Sequence, residues 1–348
     1  MKAKALVTGA GGLIGSACVQ TLCEEGWDVV GVDNDGRSGF FGSRGSTAET
    51  IEWLLSSYRS YRHFRLDIRN RQGLRDLFDS ERPGFIIHTA AQPSHDLAAS
   101  IPYDDFDVNA VGTLNLLVAA RDFSRDAPFC FTSTNKVYGD RPNLLPLVEL
   151  ETRFDYADGR DGIDETMSID NCLHSLFGAS KAAADLLCQE YGRCFQMPVG
   201  IFRGGCLTGP RHAAVELHGY LAYIVRCAVL GNPYTIYGYN GKQVRDQIHA
   251  HDVARLFLQF FNRPRVGEVY NLGGGRKNSL SVLETIQALA DAGYPLNYSY
   301  SDENRRGDHI CYISDIRKLQ AHYPDWTPAY DRFSILNELI RSNLTTLK

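Results

Sequence analysis

Three groups of residues in this chain of 348 have the types and spacing to do chemistry. The first is Thr8-Gly9-Ala10-Gly11-Gly12-Leu13-Ile14-Gly15, set between a short apolar run and an amphipathic segment. Gly9 can turn the chain, Gly12 can admit a pyrophosphate to the backbone, and Gly15 can let helix pack on strand. A diphosphate would then meet the unpaired N–H groups at the positive end of a helix. Eighteen residues after Gly15, Val29-Val30-Gly31-Val32 ends in Asp33, whose carboxylate suits adenosine ribose hydroxyls and repels a 2′-phosphate. This combination predicts a bound nicotinamide dinucleotide, NAD rather than NADP, with Arg37 as the nearby feature that points the other way. The second group is Phe177 and Lys181, four apart and so on one helix face. The third is Arg203, Arg211, Arg245 and Arg306 in a Gly-, Pro- and aromatic-rich second half, where a guanidinium fork fits phosphate oxygens bidentately.

The elements that must carry these groups read as strands at 5–7, 29–32, 64–66, 85–88, 129–133 and 198–202. Amphipathic segments at 14–25, 72–80, 113–122 and 180–195 lie between them. Continuous apolar strands alternating with helices predict an α/β fold, a Rossmann-type doubly wound parallel sheet. The domain expectation is an NAD-binding part over 1–202 and a smaller α/β substrate-binding lobe, mainly 203–348 and interleaved with it. From 203 to about 315 the alternation becomes irregular, and one further helix is expected at 333–340. Residues 144–174 form a long connection with eight acidic residues and two glycines, which reads as a lid or binding loop. A net charge of −5 leaves no electrostatic footprint for nucleic acid or an anionic membrane. The start of the chain has no signal-peptide pattern, and no run of about eighteen apolar residues occurs. Nine cysteines without a C-x-x-C pattern read as reduced thiols in a cytoplasmic protein without a metal site.

The ordered motifs Asp67-Ile68, His88-Thr89-Ala90-Ala91 and Asn109-Ala110-Val111-Gly112-Thr113 follow the glycine loop. With them the chain resembles the extended short-chain dehydrogenase/reductase family of nucleotide-sugar epimerases and dehydratases over residues 4–315. Further strings are Ser133-Thr134-Asn135-Lys136-Val137-Tyr138-Gly139-Asp140, Glu151-Thr152-Arg153-Phe154, Asp164-Glu165, and Gly241-Lys242-Gln243-Val244-Arg245-Asp246 with His249. They are most similar to the CDP-paratose/CDP-tyvelose 2-epimerase group. The resemblance implies that Gly9, Gly12, Leu13, Ile14, Gly15, Asp33, Asn34, Asp67, Ile68, Ala90, Ala91, Asn109, Thr132 and Lys181 hold NAD. It implies that Gln92, Asn135, Arg203, Gly204, Arg211, Gln243, Arg245 and Arg306 hold a nucleoside-diphosphate sugar, by analogy a CDP-sugar. A homodimer is also implied.

The same resemblance implies a reaction in which a carbinol carbon gives hydride to NAD, a bound keto sugar turns, and the hydride returns to the opposite face. Thr134 matches the position that bonds the hydroxyl being oxidised. Dehydratases place an acid pair at the next two positions, where this chain has Asn135-Lys136, so epimerisation or simple oxidoreduction is favoured. Lys181 matches the lysine of a Tyr-x-x-x-Lys motif, but Phe177 stands where the tyrosine would be and cannot exchange a proton. Three explanations stay open. Another group takes the proton (Thr134, Tyr138, His174 or a water), the protein is a catalytically silent relative, or the tyrosine was deliberately exchanged. Of the side chains, His174 is attractive as a base because imidazole is the side chain type suited to proton transfer near neutral pH and it sits about one turn before Phe177. An enzyme rival is a net NAD-dependent dehydrogenase or reductase that exchanges its cofactor.

Overall fold

Strands that are apolar at nearly every position need cover on both faces, and the order of elements supplies it. The structure, a computed structural model, describes residues 3–211, 219–303 and 307–346. The first part runs β1 (Lys4–Thr8), α1 (Leu13–Glu24), β2 (Asp28–Val32), α2 (Gly36–Phe41), α3 (Ala48–Ser57), β3 (Tyr61–Phe64), α4 (Arg71–Glu81) and β4 (Phe85–His88). It continues through α5 (His95–Ala98), α6 (Pro102–Phe106), α7 (Gly112–Phe123), β5 (Phe129–Thr134), the hairpin β6 (Leu147–Glu149) and β7 (Phe154–Tyr156), and α8 (Ser175–Phe195). Next come β8 (Val199–Gly204), β9 (Cys206–Thr208), α9 (Tyr220–Leu230), β10 (Tyr234–Tyr237), β11 (Val244–His249), α10 (Ala250–Asn262) and β12 (Glu268–Leu272). The chain ends with β13 (Ser279–Ser281), α11 (Val282–Asp291), β14 (Tyr298–Ser301), β15 (Cys311–Tyr312), α12 (Arg317–His322) and α13 (Arg332–Thr346).

Seven parallel strands form a doubly wound sheet in the order β12-β8-β5-β4-β1-β2-β3. On one face Val19 and Leu22 of α1 pack with Val253, Phe257 and Phe260 of α10. On the other, Leu74 and Phe78 of α4 meet Leu116 of α7 and Ala184 and Cys188 of α8. The direction of winding reverses between β1 and β4, so a crevice opens beyond their carboxyl ends, where such sheets bind ligands. The smaller lobe pairs β10 with β14 and builds a second sheet around β11, with β9, β13 and β15 beside it. Its core gathers Leu221 and Val225 of α9, Leu289 of α11, and Ile335 and Leu339 of α13.

Three expectations are corrected. The third strand lies at Tyr61–Phe64 rather than 64–66, because the buried Tyr61 ring packs over Gly31, where any Cβ would collide with it. Leu66, Asp67 and Ile68 therefore belong to the turn beyond the strand. The second half is more regular than its texture suggests, since α10 covers the main sheet and β12 rejoins it. The acidic segment 144–174 is not a lid. Tyr156 and Ile163 are buried with Val244 and Tyr312, Ile163 bridges to Ser314, and Glu165 accepts a hydrogen bond from the Asn271 N–H at 2.6 Å. None of its residues lines the cleft described next.

Candidate active site

One continuous cleft runs from the glycine loop, past the carboxyl ends of β4 and β5, to the inner face of β11. At its first end the backbone comes close because side chains are absent. Gly9 has φ +68°, and a Cβ there would lie 2.7 Å from the Ala90 nitrogen; a Cβ on Gly15 would strike the Gly9 carbonyl. Gly12 caps α1 with no side-chain hydrogen bond, so the leading N–H groups of the helix are left for a ligand's phosphate. Gly9, Gly12, Leu13 and Ile14 line the cleft, whereas Gly15 lies behind it and acts through packing. Asp33 is held rigidly: it accepts from Gly11 N at 3.0 Å, Asp35 N at 2.8 Å and Thr47 Oγ1 at 3.2 Å. Asn34 donates to Asp67 at 2.9 Å, and Arg69 pairs with the same carboxylate at 2.8 Å. Asn34, Asp67 and Ile68 line this half, as do Ala90, Ala91 and Thr132. Buried Thr132 Oγ1 has no hydrogen-bond partner among the described residues. A glycine cradle, an open helix end, a fixed carboxylate and an orphan hydroxyl together fit a dinucleotide.

In the middle of the cleft stand Thr134, Asn135, Phe177, Lys181 and Gly204. Thr134 ends β5, where the strand turns into a short helical turn and its Oγ1 accepts from Lys136 N at 3.2 Å. Phe177 and Lys181 come from one face of α8, and the Phe177 ring is 8% exposed. The Lys181 ammonium donates to Thr132 O at 2.9 Å and sits 4.3 Å from the centre of the Phe131 ring. Burial lowers its pKa from 10.5 to about 8. At the far end Arg245 pairs with Asp308 at 3.3 Å, not with Asp246 or Asp252, and Lys136 approaches the same Asp308 oxygen at 3.8 Å. Gln243 also faces this end.

Several expected ligands lie elsewhere. Gln92 is fully buried, donating to Ser94 O and Asp105, while Asn109 bonds Gln92 N and Ser180. Asn109 thus braces α8 from behind the cleft, and Gln92 braces Asn109. Arg203 is buried in a fork on Asp185, with bonds of 3.0 and 2.9 Å, and donates to Tyr138 Oη. His174 turns away, its Nε2 2.8 Å from Val137 O, and Tyr138 donates to Asn271 at 2.8 Å inside the core. Neither lines the cleft, so neither is placed to act as a base. Arg211 does line it, but on the dinucleotide side, 3.4 Å from the Trp53 ring centre and bonded to Gln20. Arg306 lies outside the described residues. Sequence reading missed Thr47, Arg69, Tyr220, Gln247 and Asp308 as cleft-lining residues. For Gln247 a signal existed, because residues two apart on a strand share a face with Arg245.

The model of the NAD dependent epimerase/dehydratase family matches residues 5–273. Among curated proteins, a CDP-paratose 2-epimerase of Salmonella typhi is 34% identical, covering 93% of this chain and 94% of its own length. A dTDP-glucose 4,6-dehydratase of Neisseria gonorrhoeae is 31% identical over 94% of this chain and 91% of its own. Among solved structures, the UDP-glucose 4-epimerase of Thermus thermophilus in complex with NAD superposes with a TM-score of 0.78. It is 26% identical and covers 98% of this chain and 99% of its own. With the cradle for a dinucleotide in place, these likenesses show that the chain belongs to the NAD-dependent epimerase/dehydratase family and that its cofactor is NAD.

Proposed function

We propose that the chain is a nucleoside-diphosphate-sugar epimerase of the 2-epimerase type, acting on a CDP-sugar. The observation that carries this reading is the continuity of the cleft, with a dinucleotide cradle at one end, Arg245 at the other, and Thr134, Phe177 and Lys181 between. Bound in the cradle, NAD supplies reversible acceptance of hydride from a carbinol carbon. Thr134 Oγ1 orients the sugar hydroxyl, and Lys181 Nζ, in its neutral amine form, receives the hydroxyl proton and becomes the ammonium. Arg245 holds the diphosphate while the keto sugar turns its other face. Neither Asn135 nor Lys136 carries a carboxylic acid to expel water from the sugar, which favours this chemistry over dehydration.

A lysine base has a pH signature. Catalysis should rise with pH while Lys181 loses its proton and level off above about 8, the value that burial gives it. A flat kcat/KM between about pH 6 and 9 would remove Lys181 from this role.

Exposed apolar residues on helices α6 and α8 also support a homodimer. Tyr103, Phe106, Leu176 and Leu186 are exposed on them, an apolar surface suited to a second copy. Nine free cysteines suit a reducing cytoplasm, where the enzyme would serve the making of activated sugars. Among the described residues no helix is long and apolar enough to cross a membrane. Native mass spectrometry tests the assembly directly. The expected species is twice the chain mass with one NAD per chain, gaining CDP-sugar mass on titration. A monomer without dinucleotide would contradict the reading.

A further inference from the structure

Along the inner wall of the cleft, Gln243, Arg245 and Gln247 follow one another at every second position, just before and within β11. Alternation puts these three on one face, while Asp246 turns to the other and accepts from Gly275 N at 3.0 Å. The orientation of both amides is fixed by oxygens that their N–H groups approach. Gln243 Nε2 donates to Tyr237 O at 3.2 Å. Gln247 Nε2 donates to Tyr220 Oη at 2.7 Å and reaches Arg245 O at 3.5 Å. Both Oε1 atoms are thereby presented as acceptors, and both are buried without a hydrogen-bond partner among the described residues. Gln247 is 0% exposed. A buried carbonyl oxygen left unmatched costs free energy, so two such atoms flanking an arginine in a binding cleft mark where ligand donors belong. The wall reads acceptor, cation, acceptor over about 13 Å, four residues of strand. A nucleoside-diphosphate sugar presents the complement: sugar hydroxyl, anion, nucleoside donor.

The two ends are distinguishable. Gln247 pairs in register with Cys206, two residues past Gly204, and Gly204 pairs with Thr134 on β5. Gln247 therefore stands at the sugar end and Gln243 at the nucleoside end. We infer that Gln247 is a specificity-determining residue whose Oε1 accepts a hydrogen bond from one hydroxyl of the ligand's sugar. The inference rests on the reading of the cleft as a sugar-nucleotide site. Tyr220 is the positioning residue that holds the amide in this orientation.

The test is calorimetric titration of the NAD-bound protein with CDP, CDP-glucose and the monofluoro analogues of CDP-glucose, each with one sugar hydroxyl replaced. Fluorine cannot donate, so one analogue should bind the wild-type protein about tenfold more weakly than CDP-glucose. In Gln247→Met, close to the same length but without the amide oxygen, that analogue and CDP-glucose should bind alike. Affinity for bare CDP should stay within about twofold. The inference is overturned if the variant keeps the wild-type discrimination, or if it loses CDP as steeply as CDP-glucose. Should the variant not fold, the wild-type series decides alone: equal binding of every analogue overturns the inference while leaving the cleft assignment intact. If neither CDP nor CDP-glucose binds, the cleft assignment itself fails and takes this inference with it.

Discussion

Replacing Phe177 with tyrosine should raise turnover by about tenfold or more, short of the roughly 10²- to 10⁴-fold worth of a general acid–base group where none stood before, because Lys181 already takes the proton. The substitution adds one hydroxyl to a ring that already lines the cleft, one helical turn before Lys181. Because the phenyl and phenol share a shape and the site borders open space, stability should change little. The phenol would take over the proton that we assign to Lys181 in the native protein. The pH profile should then change shape as well as rise, because the group that takes the proton becomes a phenol beside the Lys181 ammonium instead of Lys181 itself. Single-turnover epimerisation of matched preparations gives both readouts. An unchanged rate and profile would mean that proton transfer does not pass through the Phe177 position.

Replacing Arg203 with alanine should destabilise the fold by about 3–5 kcal/mol, the cost of leaving a buried charge unpaired. The partner left behind is Asp185, whose side chain is 1% exposed. Ser133 Oγ and Gln189 Nε2 would still donate to it, at 2.6 and 2.7 Å, but its counter-charge would be gone. The double variant Arg203→Met with Asp185→Leu should recover most of the loss, since apolar pairs of similar volume often substitute for buried ion pairs. Urea unfolding measures both. CDP affinity of folded Arg203→Ala should stay near wild type, because the guanidinium does not line the cleft. Undiminished stability with lost CDP binding would return Arg203 to the substrate-binding role that its sequence position suggests.

The cofactor end of the site was legible because its chemistry is local. Gly9, Gly12 and Asp33 work through backbone shape and one strand end, so their spacing alone specifies them. Arg203 and His174 misled for a common reason: each sits next to the site in sequence, but a single buried partner, Asp185 for one and the Val137 carbonyl for the other, turns it away. That choice depends on packing between distant elements. The acidic segment misled because its composition resembles a solvated loop, although Tyr156 and Ile163 anchor it in the second sheet. The doubly wound parallel class followed from strand–helix alternation, but the bounds of β3 did not, because Tyr61 over Gly31 is a tertiary fit that periodicity does not encode. Gln247 needed both the strand register and the hydrogen bonds that aim its amide.

The central claim, hydride lent and returned within one site, is tested most directly with a sugar nucleotide deuterated at the carbon being inverted. After incubation with the NAD-bound protein, the epimer should retain its deuterium at that carbon, with no NADH absorbance accumulating as product forms. Loss of deuterium from the sugar with stoichiometric growth of NADH absorbance would contradict the account and identify a net dehydrogenase instead.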